Sequence, residues 1–450
     1  MRASAPDAAD VAALAHLRAH VARLQTRVHT GRILAVVGSL VRAELPAARM
    51  GELCELRNPE RAEVRYGEVV GIDGVNVLLA PHGSIEGLSI RTEVRGLGRM
   101  PALVVGDHLL GAVIDAFGVD LEHGPRAVGA MPPGASLRPL NAQAPSSLAR
   151  RPIERMLATG LRAIDGLLTC GEGQRIGIFG GAGVGKSSLI AQIVAHCDAD
   201  VLVVGLVGER GREVGDFVAR TLDPHTRART VLVAATSDRP PLERMQAALA
   251  ATAIAEHFRD QNKRVLLIID SVTRLARALR DVALSAGEPP ARRGFPPSVF
   301  SALPMLFERA GMGAVGSITA FYTVLVEGDP MSDPIAEETK SLLDGHIMLS
   351  DKLAARGHYP AIDVLESKSR LMRQVVSRRH GEAAQHVRDL LARHRDVELL
   401  LQVGEYRAGT DARIDEAVSK HGALTAFLAQ GSHESVPPEA MLVALEQLAR

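Results

Sequence analysis

Apolar residues recur every three or four positions near the start of the chain. Val11, Leu14, Leu17, Val21, Leu24 and Val28 fall on one face of a helix predicted over 11–28, with His16, Arg18 and Arg23 elsewhere. Such a helix either packs on its own domain or docks on a partner. From Gly31 to about Gly98 the pattern shortens. Apolar segments such as GRILAVVGSLV, GEVVGIDGVNVLLAP and SIEGLSIRTEV are cut by glycine, the texture of a small β-barrel. The stretch 122–152 is rich in Pro and Ser and reads as a long connecting loop.

Beyond it, strand patterns alternate with helical ones. QRIGIF (174–179), VLVVGLV (201–207), TVLVAAT (230–236) and RVLLIID (264–270) are near-continuous apolar runs, as parallel strands buried on both faces require. LERMQAALAATAIAEHFRD (242–260) has the length and composition of a helix. From about Val375 the strand signal stops, and helical patterns such as EAAQHVRDLLARH and PEAMLVALEQLAR run to the end.

Composition narrows the picture only a little. A chain of 450 residues with 46% hydrophobic content predicts two or three globular domains. Lys+Arg and Asp+Glu are 52 each, so the zero net charge argues against a protein whose main task is holding a polyanion. Cys54, Cys170 and Cys197 are scattered and odd in number, which reads as reduced, buried thiols and a cytosolic setting. No apolar run approaches the roughly 18 residues a membrane span needs. The acidic, discontinuous N-terminal stretch is unlike a secretory signal, so any membrane association is expected through partners.

The chemistry begins at GGAGVGKS, Gly180 to Ser187, which matches G-x-x-x-x-G-K-[ST] between a predicted strand and a predicted helix. Backbone N–H groups of such a loop curl around phosphate oxygens at the positive end of the new helix. The expected nucleotide contacts are Gly181, Ala182, Gly183, Val184, Gly185, Lys186, Ser187 and Ser188. Lys186 is to reach the β- and γ-phosphates, and Ser187 is to offer its hydroxyl to Mg²⁺, so the expected ligand is Mg-ATP. RVLLIID ends in Asp270, at the carboxyl edge of a buried strand, where a second Mg²⁺ ligand belongs. Many P-loop ATPases place a glutamate next, but here the residue is Ser271. The base that orients the attacking water must therefore come from elsewhere. Glu209, just beyond the strand 201–207, is the candidate, with Glu213 one helical turn on. Local sequence alone fits a surface or capping charge at Glu209 as well; the serine at 271 favours the catalytic reading.

With these residues in place a family resemblance emerges. GERGREV, the phosphate loop, VLLIIDSVTRLARALR, GSITAFYTVLVEGDPMSDPIAEETKSLLDGHIMLS and HYPAIDVLESKSRLM together resemble the catalytic subunits of rotary ATP synthases. They look most like the export ATPases of bacterial type III secretion and flagella, from about residue 25 to the C-terminus. The wording of 164–179, VLVEGD and IDVLESKSR is closer to the injectisome branch than to the flagellar one.

The resemblance implies four parts: an N-terminal helix (1–30) that binds a peripheral stator, a β-barrel (31–98), a RecA-like α/β ATPase domain (99–375) and a C-terminal helical domain (376–450). It also implies a homohexamer with interfacial sites. Glu209 matches the catalytic glutamate, Arg210 its neighbouring arginine, Tyr359 the aromatic residue stacked on adenine, and Arg370 an arginine finger reaching the next subunit's site. Periodicity alone would leave Arg370 a solvated charge among Arg373, Arg378 and Arg379. A central stalk protein is expected at 401–406, chaperone–effector complexes as cargo, and a cytoplasmic location peripheral to the inner-membrane export apparatus. Three other readings are weaker. An RNA translocase lacks its stacking platforms, since Tyr66 is the only Phe, Trp or Tyr in the first hundred residues, and no nucleic-acid partner is expected. A non-catalytic subunit would not carry Lys186, Glu209, Asp270 and Arg370 together. A rotary synthase subunit would take its finger from a separate partner. The loop 284–297, with Arg292 and Arg293, reads as a mobile pore-side or interface element.

Overall fold

The computed structural model describes residues 29–58, 64–124, 131–326 and 333–450. The expected helix over 11–28 lies outside them, as does part of the VLVEGDPMS segment. The chain divides after Pro101 into two units.

In the first unit six strands close into a barrel: Thr30–Val37, Leu40–Glu44, Leu53–Arg57, Val64–Asp73, Asn76–Pro81 and Glu93–Gly96. Closure removes the sheet edges that short strands would otherwise leave unpaired. Inward positions alternate with outward ones, so Ile33, Val41, Ala43, Cys54, Leu56, Val69, Val77, Leu79 and Val94 fill the interior. Tyr66 stands on the outside beside His82.

The second unit is built on a nine-stranded sheet. Its order is Ile362–Ser369, Gly345–Leu349, Arg175–Gly180, Ser317–Leu325, Arg264–Asp270, Val201–Glu209, Thr230–Thr236 and Val113–Ile114, with Gly311–Met312 paired off the path. The edge strand Ile362–Ser369 runs antiparallel to its neighbour, and the next seven in the order pair in parallel. The period of two sorts each strand between two cores. Leu202, Val204, Leu266 and Ile268 pack with the helix Lys186–His196 and the C-terminal helices. Val201, Val203, Leu267 and Ile269 pack with the helices Pro241–Asp260, Val272–Ser285 and Pro297–Phe307. Both faces are covered, which is why these strands read as unbroken apolar runs.

Three helices end the chain: Arg378–Gln402, Ala412–Leu428 and Pro438–Leu448. Ser377 and Asp411 cap the first two by accepting backbone N–H bonds, and Pro438 opens the third. Their apolar faces, with Val387, Leu390, Leu424, Phe427, Met441 and Leu445, are continuous with the first of the two sheet cores. Among the described residues no helix is long and apolar enough to cross a membrane.

One loop expectation needs correction. Within 122–152, residues Ser136–Pro139 form a strand paired with Ala102–Val105. Segment 284–297, expected as a pore-side or interface element, makes contacts within its own unit. Glu288 accepts the Ser298 N–H at 3.0 Å, Arg292 pairs with Glu337 at 2.7 Å, and Arg280 lies over the Phe295 ring. All three cysteines are buried and unbridged, as expected.

Candidate active site

Strand Arg175–Gly180 delivers the chain into the phosphate loop, and the helix Lys186–His196 leaves it. Gly185 must be glycine for two reasons. Its φ of 95° is left-handed, and a Cβ there would sit 3.1 Å from Cε1 of Tyr359. No side chain caps the helix, so its first N–H groups are not taken by a cap. Ala182, Gly183, Ser187 and Ser188 are exposed, whereas Val184 is buried and pins the loop to the core.

Lys186 is only 8% exposed, and its Nζ is buried without a hydrogen-bond acceptor. Burial pushes its pKa down from the ordinary lysine value, opposed by the nearby charges of Asp270 and Glu209. An ammonium held this way is unfavourable until an anion arrives, so the setting fits the phosphates of a nucleotide.

Asp270 ends the strand Arg264–Asp270 and is buried. Thr323, on the adjacent strand, donates its hydroxyl to Asp270 Oδ1 at 2.6 Å and so fixes the carboxylate. Asp270 and the Ser187 hydroxyl are hard oxygen donors of the kind Mg²⁺ takes.

Glu209 closes the strand Val201–Glu209 and is 7% exposed. Arg274 flanks its carboxylate, with Nε 3.0 Å from Oε1 and Nη2 donating to Oε2 at 3.1 Å. Burial, and then the charge of Asp270, push the Glu209 pKa up to about 7, against the pull of Arg274. Glu213, close by, adds to that upward push and pairs with Arg210 at 3.2 Å. Arg210 itself is 72% exposed and turned to Glu213.

Lys186, Asp270 and Glu209 thus gather at the carboxyl ends of neighbouring strands, where α/β sheets bind ligands. Tyr359 joins them, half-exposed against Gly185, with its carbonyl accepting the Gln430 N–H at 2.9 Å. Arg370 does not. Its backbone N–H bonds to Asp344, whose own N–H bonds to Arg175, so Arg370 sits level with the start of the phosphate-loop strand. That strand is six residues long, putting Arg370 about 17 Å from the loop end at the rise of a parallel strand. Its side chain is exposed at this opposite end.

Motif reasoning missed Thr323 and Arg274. The one signal for Arg274 was its position in the quoted run VLLIIDSVTRLARALR, a single turn past Asp270.

A largely parallel sheet with a phosphate loop and two buried carboxylates, Asp270 and Glu209, at one end defines a P-loop ATPase. Residues 33–98 match the ATP synthase alpha/beta family, beta-barrel domain, and residues 160–369 the nucleotide-binding domain of the same family. Residues 376–447 match the T3SS EscN ATPase C-terminal domain. The Type 3 secretion system ATPase of Sinorhizobium fredii is 53% identical over 94% of this chain and 92% of its own length. That of Xanthomonas euvesicatoria is 50% identical over 92% of each. A flagellum-specific ATP synthase of Treponema pallidum is 46% identical over 93% of both. The assembled ATPase EscN of enteropathogenic E. coli superposes with a TM-score of 0.87 at 45% identity, covering 93% of this chain and 100% of that one. EscN in complex with its central stalk EscO gives 0.85, with the same identity and coverage. The chain belongs to the type 3 secretion system ATPase family.

Proposed function

We propose that this ATPase works as a homohexameric ring, hydrolysing Mg-ATP at sites shared between neighbouring subunits to energise type III protein secretion. The observation that carries the reading is the division of charges: Lys186, Asp270 and Glu209 meet at one end of the sheet, while Arg370 is exposed at the other. An arginine so placed is out of reach of its own site, which supports a role at a neighbour's. The assembled EscN structures favour a ring, and the complex with EscO favours a stalk partner.

In this reading the uncapped helix start and Lys186 hold the phosphates, and Tyr359 stacks on adenine. Ser187 and Asp270 hold Mg²⁺, which when bound neutralises charge on the β- and γ-oxygens. Glu209 takes a proton from the attacking water as its oxygen bonds to the γ-phosphorus. The bond to the β–γ bridging oxygen breaks, and ADP leaves with the electron pair. Lys186, Arg210 and the neighbour's Arg370 stabilise the charge on the phosphoryl oxygens, the finger contributing about 10³–10⁵ in rate. Arg210 must leave Glu213 to take part.

Release and unfolding of chaperone-bound effectors is the work we assign to this energy. The ring sits in the cytoplasm, held to the membrane by the export apparatus. Residues 1–28 bind the stator, and segment 401–406 faces the stalk, its exposed Val403 adjoined by the exposed Leu399 and Leu400 just before it. The injectisome assignment rests on relatives at 53% and 50% identity; the flagellum-specific relative at 46% keeps flagellar export as the alternative.

The test is steady-state ATPase activity of Glu209→Gln, Arg370→Ala and their mixture, against protein concentration. Each single variant is expected to be nearly inactive. Mixing should restore part of the activity, because some interfaces then pair an intact Glu209 with an intact Arg370. No recovery in mixed rings shown to form would remove the trans finger.

A further inference from the structure

We propose that Arg274 is a positioning residue for hydrolysis, holding the Glu209 carboxylate in the orientation from which it takes the water's proton. The inference rests on the reading of Glu209 as the base.

Four observations place Arg274 as a dedicated holder. First, strand Val201–Glu209 does not end regularly. Val207 pairs with Ala235 and Glu209 with Thr236, so Gly208 is an extra residue, a bulge, with a left-handed φ of 71°. Bulges re-aim the side chains that follow them. Second, Gly208 is also the arginine's seat. A Cβ at 208 would lie 3.1 Å from Arg274 Cδ, and Arg274 Nη1 donates to the Gly208 carbonyl at 2.6 Å. Third, Nη2 donates to Glu209 Oε2 at 3.1 Å, while Nε lies 3.0 Å from Oε1 as an ion-pair contact that lacks hydrogen-bond alignment. With Nη1 anchored on the Gly208 carbonyl and Nη2 on the carboxylate, one planar guanidinium ties the side chain of Glu209 to the backbone of the residue before it, which the single ammonium of a lysine does less well. Fourth, the backbone sets the arginine's place. Ser271 caps the helix Val272–Ser285 by accepting the Arg274 N–H, and that helix leaves the strand of Asp270, next in the sheet to the strand of Glu209.

The clamp does not occupy the base. A carboxylate has about four lone-pair positions, and two arginine contacts leave each oxygen able to accept from water. What the clamp removes is rotational freedom at the group that must meet a water in line with the γ-phosphate. A misplacement of about 1 Å there can cost about 10²-fold in rate.

The test is a double-mutant cycle on the full chain: Arg274→Ala, Arg274→Lys, Glu209→Ala and the two double variants. Readouts are kcat, KM and the Kd of a fluorescent ATP analogue with Mg²⁺, and melting temperature reports folding. Arg274→Ala should lower kcat by about 10- to 100-fold with KM and Kd unchanged, and Arg274→Lys should recover part of the loss. In the Glu209→Ala background neither substitution should lower kcat further, because the arginine acts through the glutamate. A full extra loss in that background, or a tenfold weaker Kd, would overturn the proposal in favour of a direct phosphate contact. Wild-type kcat in Arg274→Ala would overturn it outright. If Arg274→Ala does not fold, Arg274→Lys carries the same comparison. Wild-type activity in Glu209→Ala would instead refute the base assignment, a different failure from additivity.

Discussion

Thr323 shows how one hydroxyl can hold the proposed metal ligand in place. Its 2.6 Å bond leaves Asp270 a single favoured orientation, with Oδ2 not engaged by the threonine. Thr323→Val keeps the shape and removes the donor. The Mg²⁺ concentration for half-maximal ATPase activity is then expected to rise about tenfold, the low end for loss of a group that orients a metal ligand. An unchanged Mg²⁺ titration at fixed nucleotide would show that the aspartate orients itself. Residues of this kind mark the limit of sequence reading. Lys186, Ser187 and Asp270 were legible because a short local pattern carries their chemistry. Thr323 lies 53 residues from Asp270, and Arg274 lies 65 from Glu209. Each pair meets only because two strands are neighbours in the sheet, an order that periodicity does not reveal.

The most consequential element detail is the one-residue bulge at Gly208. The apolar run 201–207 announced the strand, but a run of buried residues says nothing about where its pairing slips. Gly208→Ala puts a side chain on a left-handed residue and against Arg274. It is expected to cost about 1–3 kcal/mol of stability and to lower kcat together with melting temperature. A variant with wild-type kcat would mean that the bulge does not aim Glu209. The short strand Ser136–Pro139 was hidden for a different reason. Proline and glycine on either side of it gave a loop composition, while its four residues still alternate in exposure. The long parallel strands and the helix Pro241–Asp260 were legible to within a few residues because burial on both faces, or sustained helical composition, imposes a long pattern.

At the scale of the whole molecule, barrel, sheet and helical bundle appear in the order the sequence implied; the barrel has its own core, and the bundle shares one of the sheet's two. What sequence carried poorly is the outer surface, where partners bind and no period enforces a pattern. Leu399, Leu400 and Val403 remain exposed where the helix Arg378–Gln402 ends. Replacing these three by serine is expected to abolish stimulation by the stalk protein with basal hydrolysis unchanged. Deleting residues 1–28 should separately abolish stator capture in a pull-down. Stimulation or capture that survives would relocate the corresponding contact.

The placement of Arg370 about 17 Å from its own phosphate loop has a genetic consequence. If Arg370 is the trans finger proposed above, each chain belongs to two active sites, giving the catalytic residues to one and the arginine to the other. A copy altered at Arg370 alone spoils only the site on one side, while a copy altered at both Arg370 and Glu209 spoils the sites on both. Co-expressed with the intact gene, the double allele should therefore be the more strongly dominant of the two. On that reading the heritable unit is the chain, while the working unit is the joint between two chains.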